Sequence, residues 1–135
     1  MLKILLIDDD EELCVELKEL MEAEGFKLDI VLNGSDGLEH LRKRRHDIII
    51  LDLKLPGVNG YEILKEIRRI GSDFKVVVLS GRPIGEPLLK EKGLSLEEEE
   101  KVLHMANHVI NKPFRIDEFV ARIKELAKGM VEKSQ

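Results

Sequence analysis

Short apolar runs alternate along the chain with segments in which apolar residues recur at helical spacing. The runs occupy residues 2–7, 27–31, 47–51, 74–79 and 108–110. The central runs are continuous, which is typical of parallel strands buried on both faces. The stripes between them predict helices: Leu13, Leu17, Leu20 and Met21, then Ile63, Leu64, Ile67 and Ile70, and finally Ile116, Phe119, Val120, Ile123 and Leu126. A weaker helix is predicted over residues 36–45. This alternation predicts an α/β fold with a doubly wound, five-stranded parallel sheet.

The segment between the last two predicted strands is longer than one helix requires. Residues 87–93 begin with Pro87 and end with Gly93, which predicts a short helix. Ser95 followed by Glu98 forms a capping box, which predicts a second helix running toward Ala106. With no repeat or linker in the sequence, we expect one domain over residues 1–128 and a C-terminal tail over residues 129–135.

Composition narrows the class of protein. The 135 residues are 43% hydrophobic and 36% charged, as in a folded globular domain. A net charge of −5 argues against nucleic acid as a partner of this domain. The single cysteine, Cys14, excludes an internal disulfide and is expected to be buried. No apolar run reaches the roughly 20 residues of a membrane span, so we expect a cytoplasmic protein without membrane partners.

Polar residues collect where the predicted strands end. Asp8 and Asp9 follow the first strand, Asp52 the third, Ser80 the fourth and Lys112 the fifth. Because ligands of such folds bind at the carboxyl edge of the sheet, we expect these side chains to lie together. Carboxylates about 4 Å apart repel by about 4 kcal/mol per pair at an effective dielectric of about 20. Hard oxygen ligands then favour Mg²⁺, or Mn²⁺, as the compensating cation.

The same residue types suit in-line phosphoryl transfer. Lys112 and the Ser80 hydroxyl would hold phosphoryl oxygens, and Asp52 is the natural nucleophile because it lies between the acidic pair and the Ser/Lys pair. Each residue alone has an ordinary structural explanation: acidic residues cap helices, Ser-Gly forms turns and lysines are usually exposed. Their occurrence in this order at successive strand ends is much more specific.

The motifs resemble those of receiver domains of two-component response regulators, of the chemotaxis-regulator kind. The resemblance covers nearly the whole chain and rests on Ile7-Asp8-Asp9-Asp10, the segment from Leu51 to Gly60, Leu79-Ser80-Gly81 and Asn111-Lys112-Pro113-Phe114. It implies a flavodoxin-like sheet with strand order 2-1-3-4-5. It also implies a partner, either a sensor histidine kinase or a phosphotransfer protein, and leaves open a homodimer through the output face.

The resemblance assigns a role to each site residue. Asp52 would accept the phosphoryl group, and Mg²⁺ would be bound by Asp52, by Asp9 directly, by Asp8 largely through water, and by the backbone carbonyl of Lys54. Ser80 and Lys112 would contact the phosphoryl group. The domain would thus catalyse its own phosphorylation and autodephosphorylation without a separate enzymatic output. The Lys112–Pro113 peptide bond would be cis.

The sequence departs from the family pattern in two places. Receivers usually carry an aromatic residue three positions before the lysine, whereas this chain has Val109, and the segment between Ser80 and Lys112 is longer than usual. Because Val109 is too small to open and fill a pocket, we hypothesise that the face of the fourth and fifth strands switches by moving residues 81–107.

Three alternatives stay open at this stage. A metal-dependent aspartyl phosphatase would need an Asp two positions after its nucleophile, but Lys54 stands there relative to Asp52. A receiver-like module that is never phosphorylated is the second. A zinc site at His104 and His108 is the third; it lacks a further ligand nearby, so exposed or capping histidines are expected.

Overall fold

Ten elements alternate along the chain in a computed structural model that describes residues 2–43, 45–55, 60–71, 73–81, 96–128 and 130. The strands are β1 (Lys3–Ile7), β2 (Lys27–Val31), β3 (Ile48–Asp52), β4 (Lys75–Ser80) and β5 (His108–Asn111). The helices in the described residues are α1 (Glu11–Ala23), α2 (Gly34–Arg42), α3 (Gly60–Ile70), α4 (Leu96–Leu103) and α5 (Ile116–Ala127). No helix among these residues is long and apolar enough to cross a membrane.

The strands form one parallel sheet in the order β2-β1-β3-β4-β5, so the predicted fold class and strand order are confirmed. The register aligns the ends of three neighbouring strands. Asp52 of β3 lies opposite Leu79 of β4, and Ser80 lies opposite Asn111 of β5. The polar residues predicted to meet therefore sit at one edge of the sheet.

The sheet is buried on both faces, as its continuous apolar runs predict. Leu5 and Ile7 of β1 point into a core layer completed by α2, α3 and α4. Ile4 and Leu6 point into a second layer, completed by α1 and α5. Because consecutive strand residues face opposite sides, a strand covered by helices on both sides needs apolar residues at every position.

Side-chain caps determine where α1 and α2 begin. Asp10 caps α1, as expected, by accepting a hydrogen bond from the Leu13 amide at 3.1 Å. The second helix begins two residues earlier than predicted, at Gly34, because Asn33 accepts from the Asp36 amide at 2.8 Å. It also ends at Arg42, three residues before the predicted end. Leu20, predicted on the buried stripe of α1, is 37% exposed and lies at the edge of that stripe.

Of the two helices predicted before β5, the second lies mainly within the described residues. The predicted helix over residues 87–93 and the Ser95 cap lie outside the described residues. Helix α4 falls within the second predicted helix and ends at Leu103, short of Ala106. There the Met105 and Ala106 amides donate to the carbonyls three residues earlier, at 2.9 and 3.0 Å, and this tighter turn leads into β5.

Candidate phosphoryl-transfer site

Three carboxylates meet at the carboxyl edge of the sheet. One oxygen from each of Asp8, Asp9 and Asp52 lies within 4.8 Å of the others. Asp8 and Asp52 are buried, at 0% and 4% exposure, whereas Asp9 is exposed. An all-oxygen donor set with one open side suits a hard divalent cation that keeps part of its water shell, such as Mg²⁺. The residues present therefore fit the metal that the resemblance implies.

Lys112 supplies positive charge to this cluster. Its Nζ donates to Asp8 Oδ2 at 2.9 Å and lies 3.4 Å from Asp52 Oδ2. Burial alone would lower the pKa of Lys112, but the two carboxylates outweigh it and the net effect is a raised pKa. The ammonium group therefore stays charged and offsets the repulsion between Asp8 and Asp52.

The two buried carboxylates are held in the same way. The Asp10 amide donates to Asp8 Oδ1 at 2.9 Å, and the Lys54 amide donates to Asp52 Oδ1 at 3.0 Å. In both residues the second oxygen, Oδ2, faces Lys112. Each carboxylate thus has one oxygen fixed by the backbone and one directed into the site, an arrangement that the sequence motifs do not reveal.

Burial also tunes the protonation of Asp52. It raises the pKa of Asp52 to about 6, assisted by the negative charge of Asp8 and opposed by the Lys54 amide and by Lys112. Because burial disfavours the ionised form of Asp52, added positive charge nearby would stabilise that form. The site is therefore expected to favour a bound cation.

Ser80 lies beside Asp52 at the end of the neighbouring strand and is 8% exposed. Its carbonyl accepts the Lys112 amide at 2.7 Å, which fixes the backbone from which the lysine side chain extends. A Cβ atom at Gly81 would meet nothing within 4 Å, so the next position is open. The predicted Ser80, Lys112 and acidic residues are thus brought to one place.

The Lys112–Pro113 peptide bond is cis, as the resemblance implies. The next side chain, Phe114, stacks on Phe119 of α5 with ring centroids 5.0 Å apart. The segment that carries the lysine is therefore anchored to the second core layer.

Cys14 is a buried thiol, as predicted, and packs beneath the site. Its Sγ donates to the Asp8 carbonyl at 3.4 Å. Burial, together with the nearby negative charge of Asp8, raises the pKa of Cys14 to about 12. A thiol with that pKa stays protonated and is not a nucleophile at neutral pH.

Other residues singled out in the sequence lie away from the acidic cluster. Val109 is half-buried and packs on the core layer that holds Val102 and Leu103. His104 is exposed in the turn after α4, and His108 begins β5. Neither histidine joins a potential metal-binding group of three or more side chains within the described part of the chain, where the acidic cluster is the one such group.

Comparison with known proteins places these features in context. A profile described as the response regulator receiver domain matches residues 4–124. The transcriptional regulatory protein CpxR homolog of Haemophilus influenzae is 38% identical over 134 residues, covering 99% of this chain and 54% of that protein. Sporulation initiation phosphotransferase F of Bacillus subtilis is 33% identical over 123 residues, covering 91% of both chains. The chain spans about half the length of most of the curated relatives it matches first.

Solved structures of response regulator proteins are also similar to this chain. TrrA of Thermotoga maritima, in complex with Mg²⁺-BeF, has a TM-score of 0.74 and 28% identity, covering 93% of this chain and 99% of that one. A second structure contains TrrA in complex with the histidine kinase ThkA, with the same TM-score of 0.74 and 28% identity, covering 93% and 98%.

Proposed function

The chain belongs to the response regulator receiver domain family, and from that premise we propose that Asp52 accepts a phosphoryl group from the phosphohistidine of a sensor histidine kinase or phosphotransfer protein. The receiver would span residues 1–128, with residues 129–135 as a tail. The observation that carries the proposal is the arrangement of Asp52, whose Oδ1 is fixed by the Lys54 amide while Oδ2 faces Lys112. A relative solved with a histidine kinase supports the choice of partner.

Transfer exchanges a phosphorus–nitrogen bond for a phosphorus–oxygen bond. An Asp52 oxygen attacks phosphorus, the phosphorus–nitrogen bond breaks, and its electron pair returns to the imidazole nitrogen. The product is an acyl phosphate, and later attack by water on phosphorus restores the carboxylate and releases inorganic phosphate. Lys112 and the Ser80 hydroxyl would contact phosphoryl oxygens, so that fixed charge and position supply most of the rate.

Asp8, Asp9, Asp52 and the Lys54 carbonyl would hold Mg²⁺. When bound, the ion would supply positive charge against the phosphoryl oxygens. The spacing of the three carboxylates supports this ligand set, and the Mg²⁺-BeF complex of TrrA supports the choice of metal. Mn²⁺ has similar ligand preferences and is expected to substitute.

Phosphorylation with acetyl phosphate and Mg²⁺, followed by mass spectrometry, tests the proposal. We expect one phosphoryl group on Asp52 and none in Asp52→Asn. Asp117→Asn, a change at a residue with 68% side-chain exposure in the first turn of α5, is the matched control and should be modified normally. Modification at Asp8, which has an Asp two positions later as the phosphatase alternative requires, would instead support that alternative. Absence of any adduct would support a module that is never phosphorylated.

A separate experiment tests the metal ligands. Mg²⁺ at a hundred times its dissociation constant should stabilise the protein by about 2.7 kcal/mol. We expect Asp9→Ala to raise the melting temperature in EDTA, because it relieves repulsion, and to abolish the Mg²⁺ response. Glu12→Ala, a change at an exposed α1 residue, should keep that response. An Asp9→Ala protein stabilised as strongly as wild type would exclude Asp9 as a ligand.

The readout of phosphorylation is proposed to lie at the β4–β5 face. Val109 replaces the aromatic residue that the family uses there, so movement of residues 81–107 remains our hypothesis. We expect that beryllofluoride changes hydrogen exchange mainly at residues 87–106. Changes confined to the loops that carry the site would contradict this hypothesis.

The β4–β5 face is also the surface that we propose for any homodimer. We also propose a cytoplasmic location and no nucleic-acid contact by this domain.

A further inference from the structure

Helix α3 begins unusually close to the chain that follows Asp52. A Cβ atom on Gly60 would lie 2.5 Å from both the Cα and the carbonyl oxygen of Leu53, and 2.8 Å from its carbonyl carbon. Contacts this short cannot exist, so any side chain at position 60 forces a movement. All three atoms belong to the Leu53 backbone, which cannot rotate away as the tip of a flexible side chain can.

The peptide that Gly60 contacts also orients Asp52. The Leu53 carbonyl and the Lys54 amide form one planar unit, so displacing the carbonyl tilts the N–H group. That N–H group donates to Asp52 Oδ1 at 3.0 Å. On its other side, the Leu53 amide is held to β4 by a 3.0 Å hydrogen bond to the Leu79 carbonyl. A side chain at position 60 would therefore displace the Leu53–Lys54 peptide.

We propose that Gly60 is a positioning residue for the phosphoryl acceptor: its missing side chain lets α3 abut the Leu53–Lys54 peptide, whose N–H group aims the Asp52 carboxylate. This inference rests on the proposed function of Asp52. With Oδ1 fixed, Oδ2 points toward Lys112, 3.4 Å away, and toward the incoming phosphoryl group. A tilted peptide releases the carboxylate, and in-line attack becomes less frequent.

Gly37 offers a matched control in another helix. A Cβ atom there would lie 2.7 Å from Ile7 Cδ1, but that atom is the tip of a side chain that can change rotamer. Both Gly60→Ala and Gly37→Ala add one methyl group to a buried helical glycine. They differ in whether backbone or side chain must yield.

The experiment compares initial phosphorylation rates at saturating acetyl phosphate and Mg²⁺. We expect Gly60→Ala to be slower than wild type by about tenfold or more, since misplacements near 1 Å cost up to about a hundredfold. Gly37→Ala should stay within about threefold. Equal rates for the two variants would overturn the inference, whereas an unmodified wild type would overturn the proposed function instead.

Hydrogen exchange of the Lys54 amide tests its hydrogen bond to Asp52 independently of phosphorylation. We expect this amide to exchange at least about tenfold faster in Asp52→Ala, which removes the acceptor, and in Gly60→Ala, which tilts the donor. Unchanged exchange in either variant overturns the inference. If Gly60→Ala does not fold, the Asp52→Ala comparison decides whether the Lys54 amide holds Asp52. A merely structural role for Gly60 would lower stability without selectively exposing the Lys54 amide.

Discussion

A single lysine links the two buried carboxylates of the site. Asp8 is fully buried and Asp52 nearly so, and Lys112 Nζ contacts an oxygen of each. Two like charges in a poorly solvated place are costly unless a cation stands between them. In the metal-free protein Lys112 has that role, which it would share with Mg²⁺.

Removing the positive charge of Lys112 should lower the unfolding free energy more in the absence of Mg²⁺ than in its presence. We expect Lys112→Met to lower the unfolding free energy in EDTA by roughly 1–3 kcal/mol, less than the ~3–5 kcal/mol of a fully buried pair, because the lysine side chain is 23% exposed. Mg²⁺ should restore more stability to the variant than to wild type. Thermal unfolding with and without Mg²⁺ measures both quantities.

Lys124→Met is the matched control for that substitution. Lys124 pairs with Glu24 at 2.8 Å, but both side chains are substantially exposed, so its loss should cost less than about 1 kcal/mol. Equal stability losses for the two variants in EDTA would contradict a special role for Lys112.

One arginine, Arg68, joins α3 to the chain that follows α4. Arg68 donates to the Met105 carbonyl through Nε at 2.7 Å, to the Phe74 carbonyl through Nη1 at 2.7 Å, and to Asn107 Oδ1 at 3.1 Å. Asn107 Oδ1 also accepts the Val76 amide at 2.8 Å. These bonds hold the chain between α4 and β5 against both α3 and β4.

Arg68→Met should therefore destabilise the fold by about 2–3 kcal/mol, since hydrogen bonds to a charged donor are worth about 1.5–3 kcal/mol and two part-buried carbonyls would lose this donor. Its neighbour provides the control: Arg69 is 75% exposed and pairs only with Glu66 among the described contacts. Arg69→Met should change stability by no more than about 0.5 kcal/mol. Urea unfolding of the two variants distinguishes a tertiary link from a general effect of charge.

The sequence predicted what depends on local pattern. Continuous apolar runs predicted the strands within one or two residues, and the order of acidic, hydroxyl and lysine residues predicted which side chains would meet. It did not predict that Gly60 would abut Leu53, or that Arg68 would reach Asn107. Such contacts depend on how closely two elements approach, which no spacing within either element encodes.

A buried histidine makes the stability of the fold depend on pH. His46 has 3% side-chain exposure; its Nε2 lies 2.8 Å from Asp29 Oδ2, and its Nδ1 has no hydrogen-bond partner in the described structure. Burial lowers the pKa of His46 below the usual 6.5, and nearby His40 and Lys3 act in the same direction against Asp29. Protonation would leave a second N–H group buried without an acceptor.

Acidification is therefore expected to destabilise the fold through His46. Because the folded state binds this proton less readily than the unfolded chain, the contribution of neutral His46 to stability is fully present above about pH 6.5 and is lost as pH falls below it. We expect His46→Gln to flatten the pH dependence of the unfolding free energy below about pH 6.5, measured by urea unfolding at each pH. His104→Gln, a change at an exposed position, should leave the wild-type slope intact. A slope unchanged in His46→Gln would refute the assignment.

The register of β3, β4 and β5 determines which parts of this chain can be exchanged. Backbone hydrogen bonds from Leu53 to Leu79 and from Lys112 to Ser80 fix the reacting side chains relative to one another. Neither of these bonds involves residues 82–95, and lengthening a chain segment between two fixed points costs little, about 0.6 kcal/mol for each doubling. We therefore expect that a segment from another receiver, grafted in place of residues 82–95, leaves the phosphoryl chemistry unchanged.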